Sequence, residues 1–595
     1  GAAFSGRDGA AGGGGRVEVR TVALAKCRGT VDCMRLSMAA LGWKMQTIQP
    51  ARECSILWYG PPYSRNLFQD EDFETLLERP WARSSKMPGM SQCMVKSEMT
   101  RLFRAFERLM AAPGLCESFY PPSLVYPTDR MTLLECKTTG TGGASAESHG
   151  REVTDFQIIK PAIGSQGTGI KIVHKNNVMR ELVRKKPDDE TEALKQNASE
   201  MDWAHAFNAE SVVQNYIENP LLLDGMKFDF RLYVLVCNVM PLKVYLCNEG
   251  LVRLCTMPYT APTPENVNKA EIHLSNYSLQ KTSTGFVHAP PDDPHGGQSS
   301  KRSLSSTLKR LKQSQPGFST EAFWEQACHI VRVTMAAIQP VLWGSYWNGF
   351  KAAGYTVKEG MPFSCFHILG FDMMADTSLH LSLLEGNCAP SFSLLVPDPR
   401  FPEAKHSFIK GSVDTYVKER MLTGALRIVN HLMAHGDDSD PLGPSNRLAA
   451  ETYMDVFSAC RCTTGAFSWP KQAFSLPWGI SKYFFERCRV NSIRRNAVTL
   501  DGAAAKAVVR QLLGNALERM SLNQTLKFPA LHMSPSFVEN ISVSDLARSR
   551  ALKELIASVS RPSYTLTEFI EQVCCVMYDT VGMDPASLSI VASPV

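Results

Sequence analysis

Gln214-Asn215-Tyr216-Ile217-Glu218-Asn219-Pro220-Leu221-Leu222-Leu223-Asp224-Gly225-Met226-Lys227-Phe228-Asp229-Phe230-Arg231-Leu232-Tyr233-Val234-Leu235-Val236 is the stretch around which the chain organises. From Lys227 onward polar and apolar residues alternate, which predicts a strand. Side chains along a strand point to opposite faces in turn. Lys227, Asp229 and Arg231 therefore share one face, and Phe228, Phe230, Leu232, Val234 and Val236 form the other. The apolar face belongs against a core. The charged face sets two cations around one carboxylate. That suits a polyphosphate and its metal; the alternative is a solvated, salt-bridged surface.

The 595 residues exceed one ordinary core, so roughly two to four domains are expected. Apolar residues at 44% and charged residues at 20% are those of a globular protein. A net charge of +5 is small for this length and argues against a nucleic-acid partner, which needs a concentrated basic face. No apolar run approaches a membrane span, so no membrane partner is expected. The 17 cysteines are scattered, with Cys460-Arg461-Cys462 and Cys574-Cys575 the only close pairs. They read as structural thiols of a reduced, cytosolic protein without a zinc site.

Outward from the opening stretch, Val31 to Leu41 has a helical apolar pattern and Ser55 to Trp58 reads as a buried strand. Lys86-Met87-Pro88-Gly89-Met90 is a turn before a helix whose Met99, Leu102, Phe103, Phe106 and Leu109 recur at helical spacing. Asp155 to Pro161 is a strand ending in Lys160-Pro161. The glycine-rich loop Gly164-Ser165-Gln166-Gly167-Thr168-Gly169-Ile170 follows, able to aim successive N–H groups at phosphate oxygens. Such a loop alone is more often a hairpin turn. Arg184 to Met201 reads as a charged insertion, and Ser211 to Ile217 as a strand. Pro241 to Thr256 reads as two strands around a turn at Cys247-Asn248-Glu249-Gly250. The Pro-, Gly- and Asp-rich segment from Tyr277 to Lys301 looks like a mobile loop. Glu321 to Val341 is an amphipathic helix carrying Phe323, Ala327, Ile330, Val331 and Met335. Phe363 to Met374 and Leu379 to Asn387 form a hairpin around Asp376-Thr377-Ser378. Glu385 and Asn387 share a strand face, and Asp372 lies on the partner strand. Two carboxylates and an amide oxygen form a hard-oxygen set suited to Mg²⁺; the alternative is a polar strand face without metal.

Gln-x-Tyr-Ile-x-x-Pro-Leu-Leu-x-Asp-Gly-x-Lys-Phe-Asp-x-Arg-x-Tyr-Val-Leu-Val at 214–236 closely resembles the core of the tubulin tyrosine ligase-like family. The resemblance runs from about Arg20 to Leu432. It includes Pro88-Gly89-Met90 before its helix, His273-Leu274-Ser275-Asn276-Tyr277-Ser278, Gly370-Phe371-Asp372, and Leu384-Glu385-Gly386-Asn387-Cys388-Ala389-Pro390-Ser391. It implies an α/β (α+β) fold: an ATP-grasp-type ligase core with a small N-terminal α/β domain. The expected units are a Gly-rich tail over 1–15, an N-terminal domain over 16–127, central and C-terminal catalytic domains over 128–435, and a linker over 436–452. A helical domain over 453–595 would follow. In it Ser481 to Cys488, Val498 to Asp501, Ala503 to Leu513 and Ser563 to Ile570 have the cadence of degenerate EF-hands without calcium ligands. An ordinary helical bundle fits that pattern as well.

The resemblance also implies chemistry. The expected cofactors are ATP and Mg²⁺. ATP would be held by Lys160, Gln166, Gly167, Thr168, Gly169, Gln214, Asn215, Tyr216, Ile217, Lys227, Phe228, Asp229, Ser275 and Asn276. Asp372, Glu385 and Asn387 would hold the metal, and Arg231 would be catalytic. Arg253, Tyr277, Lys301 and Lys418 would hold the incoming amino acid, Arg253 through its bidentate fork. Gln166 and Cys388 would neighbour the acceptor. The implied activity adds free glutamate to glutamate side chains of tubulin tails through an acyl phosphate. A glycylase or tyrosine ligase on the same scaffold is the nearest alternative, and a catalytically inactive microtubule-associated scaffold is another. Tubulin or microtubules are the expected partner, and the protein is expected to be a monomer. The expected location is cytoplasm and cytoskeleton, extending to cilium, flagellum or basal body.

Overall fold

A computed structural model of the chain describes most of residues 21–456. The segments 27–30, 47–53, 61–72, 74–78, 80–81, 112–118, 139–153, 165, 185–209, 240–241, 353–364, 399, 401–406 and 437–438 lie outside the description, as does everything beyond 456 except 499–501 and 563–565.

The chain begins with a parallel sheet of β1 (Thr21–Lys26), β2 (Lys44–Gln46), β3 (Ile56–Tyr59) and β4 (Arg83–Ser84), ordered β2-β1-β3-β4. Parallel neighbours need a crossover, and α1 (Val31–Leu41) provides the one between β1 and β2, over the residues its periodicity predicts. Gly89 then turns the chain at φ 79°, and a Cβ there would stand 2.6 Å from Ser345 Oγ. Only glycine permits both the angle and the approach. α2 (Lys96–Ala111) follows, burying Met99, Leu102 and Phe103.

A second sheet is antiparallel. β5 (Ser123–Tyr126), helix α3 (Arg130–Thr138), β6 (Phe156–Pro161), β7 (Lys171–His174), helix α4 (Val178–Arg184) and β8 (Ser211–Asn215) give the order β5-β8-β6-β7. Leu133, Ile159, Val178, Leu182 and Val213 join the two helices to one face. β8 ends at Asn215, so Tyr216 and Ile217 lead out of the sheet.

The central sheet has seven antiparallel strands. β9 (Leu222–Leu223) pairs with the start of β10 (Met226–Val239); β10 pairs with β11 (Leu242–Leu254), and β12 (Lys301–Ser303) flanks β11. After helices α5 (Leu304–Ser314) and α6 (Thr320–Ala352), β13 (His367–Ala375) pairs with β10, and β14 (Leu381–Asn387) closes that edge. The hairpin β15 (Leu395–Pro397) and β16 (Phe408–Lys410), helix α7 (Ser412–His435) and strand β17 (Tyr453–Asp455) complete the unit.

The alternation in β10 decides which way the sheet faces. Phe228, Phe230, Leu232, Val234 and Val236 enter one core with α6 and α2. Tyr233, Leu235 and Cys237 enter a second core with α1 and α7. At Lys227, Asp229 and Arg231 that second face turns from apolar to charged. There the sheet floors a cleft instead of a core.

Several expectations change. Pro241 to Thr256 holds one continuous strand instead of two. Leu232 pairs with Gly250 and Val234 with Leu246, so Cys247, Asn248 and Glu249 stand opposite Tyr233 alone, a bulge of two extra residues. Gly250 is required there, because a Cβ would stand 2.5 Å from the Arg231 carbonyl oxygen. The buried Glu249 accepts from Ser305 N–H at 3.0 Å in the first turn of α5. α6 continues to Ala352, past Pro340, although that residue lacks a donor. Tyr453–Asp455, expected in a helical tail, is a strand paired with Tyr245–Cys247 of β11. Beyond it, Thr499–Asp501 and Ser563–Thr565 pair antiparallel. The expected helices at Ser481–Cys488 and Ala503–Leu513, the 1–15 tail and the insertion after Arg184 lie outside the described residues. Among the described residues no helix is long and apolar enough to cross a membrane.

Candidate active site

Two cross-strand rows carry the charges of the cleft. Lys301 of β12 pairs with Arg253 of β11, and Arg253 with Asp229 of β10. One step along, Arg231 of β10 pairs with Asp372 of β13, and Asp372 with Glu385 of β14. Directly paired residues on one face touch, so residues far apart in the chain form one polar surface.

At the centre is a closed ion-pair lattice. Arg253 donates to Asp229 through Nε (2.7 Å) and Nη2 (2.5 Å), and its Nη2 lies 2.8 Å from Asp372 Oδ2. Arg231 donates to both oxygens of Asp372, with Nη2 2.8 Å from Oδ2. Ser275 Oγ donates to Asp229 Oδ2 at 2.7 Å. Burial disfavours ionisation of Asp372, but Arg231 and Arg253 outweigh it and hold the carboxyl well below the usual range. Burial likewise opposes charge on Arg253, yet Asp229 and Asp372 hold it protonated well above its ordinary value.

The cleft lies between the second sheet and this face. It is lined by Lys160, Gln214, Asn215, Tyr216, Ile217, Lys227, Asp229, Ser275, Asn276, Asp372 and Glu385, all expected nucleotide or metal residues, together with the apolar Ile158, Ile170, Leu274 and Met374. Lys160 Nζ donates to Gln214 Oε1 at 2.7 Å and to the Leu384 carbonyl at 3.2 Å. Lys227 Nζ sits 3.8 Å from the centroid of the Tyr216 ring. That ring is itself fixed by a 2.9 Å bond between Tyr216 Oη and His273 Nδ1. Among the described residues neither ammonium has a carboxylate within 4.0 Å. Burial pulls Lys160 down to about 8 and Lys227 down to about 7. Buried cations held this way suit an anionic ligand, whose arrival would restore their charge.

Phe228 does not face the cleft. Alternation sends its ring into the core, 1% exposed and 5.1 Å from Phe230. The glycine-rich loop lies at the cleft's edge. A Cβ on Gly167 would stand 2.7 Å from Leu279 Cδ1, so glycine lets the loop lean on the turn after Asn276. Ile170 lines the cleft, whereas Gln166 and Thr168 are exposed.

The metal set is assembled in part. Asn387 Nδ2 lies 3.5 Å from both Asp372 Oδ2 and Glu385 Oε1, so the three side chains converge. Among the described residues there is no group of three or more His, Cys, Asp or Glu that could cage an ion. Two carboxylates, with the Asn387 amide turned so that its oxygen replaces its nitrogen, nevertheless fit Mg²⁺ where substrate phosphates supply further oxygens, the usual arrangement for this ion. Asp372 would then be shared between the metal and both arginines.

A second pocket opens beside Lys301, walled by Tyr277, Val287, His288, Val396, Ile409 and Asp414. Lys301 and Lys418 both donate to Asp414, each at 2.7 Å. Lys301 Nζ stands 3.7 Å from the Tyr277 ring centroid. Of the four expected amino-acid residues, Tyr277 and Lys301 line this pocket. Lys418 reaches it through Asp414 and also donates to the Ser393 carbonyl at 2.6 Å. Arg253 stands behind Lys301 with its fork taken by Asp229 and Asp372. The segment expected as a mobile loop lines this pocket; Val287 N–H donates to Ser300 Oγ at 3.0 Å, and Asp293 accepts from His295, Gly296 and Gly297 N–H within it.

Cys388 lies beside the metal set. Its Sγ is 3.2 Å from Ser91 Oγ and 3.4 Å from His367 Nε2. His367 does not serve as its base. Nε2 donates to the Cys388 carbonyl at 2.7 Å, Nδ1 accepts from Met87 N–H at 3.2 Å, and burial pushes the imidazole down to about 3. Gly386, between the metal residues, is matched to Met94, whose Sδ would lie 2.6 Å from a Cβ.

Two residues that sequence reading passed over belong to the site. Lys96 Nζ donates to the Gly164 carbonyl at 2.9 Å and lies 3.7 Å from Glu385 Oε2, tying the loop to the metal set. A cation in the first turn of a helix opposes the macrodipole, and that anomaly was the available signal. Asp414 stands four residues before Lys418, the spacing of a helical ion pair.

The model of the tubulin-tyrosine ligase family matches residues 75–417. The mouse (Mus musculus) protein named tubulin polyglutamylase TTLL11 is 31% identical over 416 residues, covering 69% of this chain and 49% of its own. Its human (Homo sapiens) namesake is 30% identical over 414 residues, covering 69% and 50%. The mouse protein named tubulin polyglutamylase TTLL6 is 29% identical over 368 residues, covering 60% and 36%. The chain thus spans about half the length, or less, of these relatives. The family match extends from the N-terminal unit through both pockets to the helix that carries Asp414, and the chain is a member of the tubulin-tyrosine ligase family.

Proposed function

We propose that the protein is an ATP-dependent ligase that adds glutamate to glutamate side chains of tubulin tails. The observation that carries this reading is the single charged sheet face with a pocket at each end. Lys160, Lys227, Asp372 and Glu385 stand at one end, Lys301 and Asp414 at the other, and Arg231 and Arg253 between. The names of the relatives support the acceptor class.

An oxygen of the acceptor carboxylate attacks the γ-phosphorus of ATP, the bond to the β–γ bridging oxygen breaks, and ADP leaves. The α-amine of glutamate, having lost its proton, then attacks the acyl carbon. An amide forms and inorganic phosphate departs. Lys160 and Lys227 hold the phosphates, and Tyr216 with the apolar lining holds the base. Asp372, Glu385 and Asn387 would hold Mg²⁺, which when bound neutralises charge on the transferring phosphate. Arg231 is placed to stabilise the acyl phosphate and the oxyanion of the following step. Lys301, supported by Asp414 and Lys418, holds the amino acid. Arg253 positions Asp229 and Asp372.

The test is mass spectrometry of tubulin tails after incubation with the protein, Mg-ATP and glutamate, glycine or tyrosine in turn. Increments of glutamate are expected. Increments of glycine or tyrosine alone would assign the scaffold to a different ligase, and no increment with any of them would remove the reading.

A further inference from the structure

We propose that His288 is a specificity-determining residue of the second pocket, which with Tyr277 recognises the side-chain carboxylate of the incoming amino acid. The inference rests on the ligase reading above and assigns a residue that reading did not use.

Among the described residues, two polar side chains of this pocket, Tyr277 and His288, have no hydrogen-bond partner. Tyr277 Oη is buried and makes no hydrogen bond. The half-buried His288 ring lines the same pocket, and among the described residues neither of its nitrogens is bonded. Buried hydroxyls are nearly always paired, so a lone one on a residue that lines a pocket points to a ligand atom. The two rings are linked by stacking: Tyr277 and Phe286 lie 5.7 Å apart, Phe286 and His288 4.8 Å. The bonds between Val287 and Ser300 hold the backbone beside them, so His288 is fixed by its neighbours.

The charges facing His288 set its behaviour. Lys301 from β12, Asp414 from α7 and Lys410 from β16 line the pocket with it. Lys301 is already shared with Asp414, so a second carboxylate on the ligand would look to Lys410 and His288. Burial and Lys301 both push the imidazole below its ordinary value, so it is neutral in the ligand-free protein at neutral pH. A carboxylate beside it reverses that balance and draws a proton onto the ring. Glutamate brings such a carboxylate; glycine and tyrosine do not. Glutamate affinity should therefore rise as pH falls and be accompanied by proton uptake.

The experiment is calorimetric titration of L-glutamate into the full chain, from pH 6 to about 8.5, in two buffers of different ionisation enthalpy. His288→Gln and His288→Ala are run beside the wild type, each checked by its melting temperature. Wild type should bind about tenfold more tightly at the acid end and take up a fraction of a proton. His288→Gln should lose the pH dependence and the uptake, and His288→Ala should also bind about tenfold more weakly at the acid end. In turnover, the KM for glutamate should rise while that for ATP stays put. Wild type that binds glutamate beside a His288→Gln variant with an unchanged pH profile would overturn this inference alone. No binding of glutamate by wild type would overturn the ligase reading as well.

Discussion

In the nucleotide-side cleft Lys160 and Lys227 are buried without a carboxylate within 4.0 Å among the described residues, whereas at the far edge of the same sheet Lys301 and Lys418 share Asp414 at 2.7 Å each. The consequence is visible in their proton affinities. Burial lowers Lys227 to about 7; of the pair that shares Asp414, Lys418 is held above its ordinary value by that carboxylate, while burial still draws Lys301 below its own. The cleft holds two lysines whose lowered proton affinity a polyphosphate would restore. The pocket sets Lys301, Lys410 and Lys418 against Asp414, a surplus of cations that suits an amino acid with two carboxylates and its own ammonium. Between them Arg231, Asp372, Arg253 and Asp229 match two cations to two carboxyl groups, and Arg253 with Asp229 braces both ends.

The variant expected to separate the two ends most is Glu385→Gln. It keeps the shape of β14 and removes a carboxylate of the proposed Mg²⁺ set, so ligation should fall at least about a hundredfold. Glutamate affinity in the ligand-free protein should hardly move. Similar losses at both ends would erase the distinction between them, and near-normal turnover would remove Glu385 from the metal set.

Breaking the lattice should harm both ends together. Arg253→Ala leaves Asp229 and Asp372 facing each other without their shared partner, and losing one member of a buried pair costs about 3–5 kcal/mol of stability. Chemical denaturation measures that loss, and the KM values for ATP and glutamate should rise in company. A rise confined to glutamate would mean that the fork reaches the amino acid directly.

The unpaired lysines should show the opposite sign. A lysine lowered from 10.5 to about 7 penalises the fold fully below pH 7, and the penalty fades as pH rises toward 10.5, because over that window the unfolded chain binds more protons. Lys227→Met should therefore stabilise the ligand-free protein at neutral pH by about 1–4 kcal/mol while abolishing stabilisation by Mg-ATP. The same substitution at Lys418 should destabilise, since it leaves Asp414 with Lys301 alone and the Ser393 carbonyl without its donor. Destabilisation by both would show that the two ends do not differ in the way described.

The smallest effect is a matter of packing. Gly386→Val should cost about 1–3 kcal/mol through its clash with Met94, and Met94→Ala should recover part of that cost. No recovery would place the strain elsewhere on β14.

Much of this layout was legible along the chain wherever the signal is local. The alternation from Lys227 to Val236 marked which residues of β10 face a core, and the periodicity of Val31 to Leu41 matched α1 at both ends. The hairpin that brings Asp372 beside Glu385 was legible because a short turn joins its strands. What escaped depends on pairing between distant segments. Arg253 read as a carboxylate clamp, and nothing local says that its neighbour across the ladder is Asp229, twenty-four positions earlier. Asn248-Glu249-Gly250 read as a turn, because a bulge and a turn draw on the same residue types, and only the partner strand tells them apart. Lys96 lies in an N-terminal unit to which no chemistry had been assigned, and its place beside Glu385 follows from how that unit docks on the central sheet.

The central claim, that one charged face serves phosphoryl transfer at one end and amino-acid capture at the other, is tested most directly by following an oxygen atom. A tubulin-tail peptide with heavy oxygen in its glutamate side-chain carboxylates is incubated with the protein, Mg-ATP and glutamate, and the released phosphate is examined by mass spectrometry. If the acceptor carboxylate attacks ATP and is then displaced as phosphate, each ligation leaves one heavy oxygen in inorganic phosphate. Ligation with unlabelled phosphate would contradict the account.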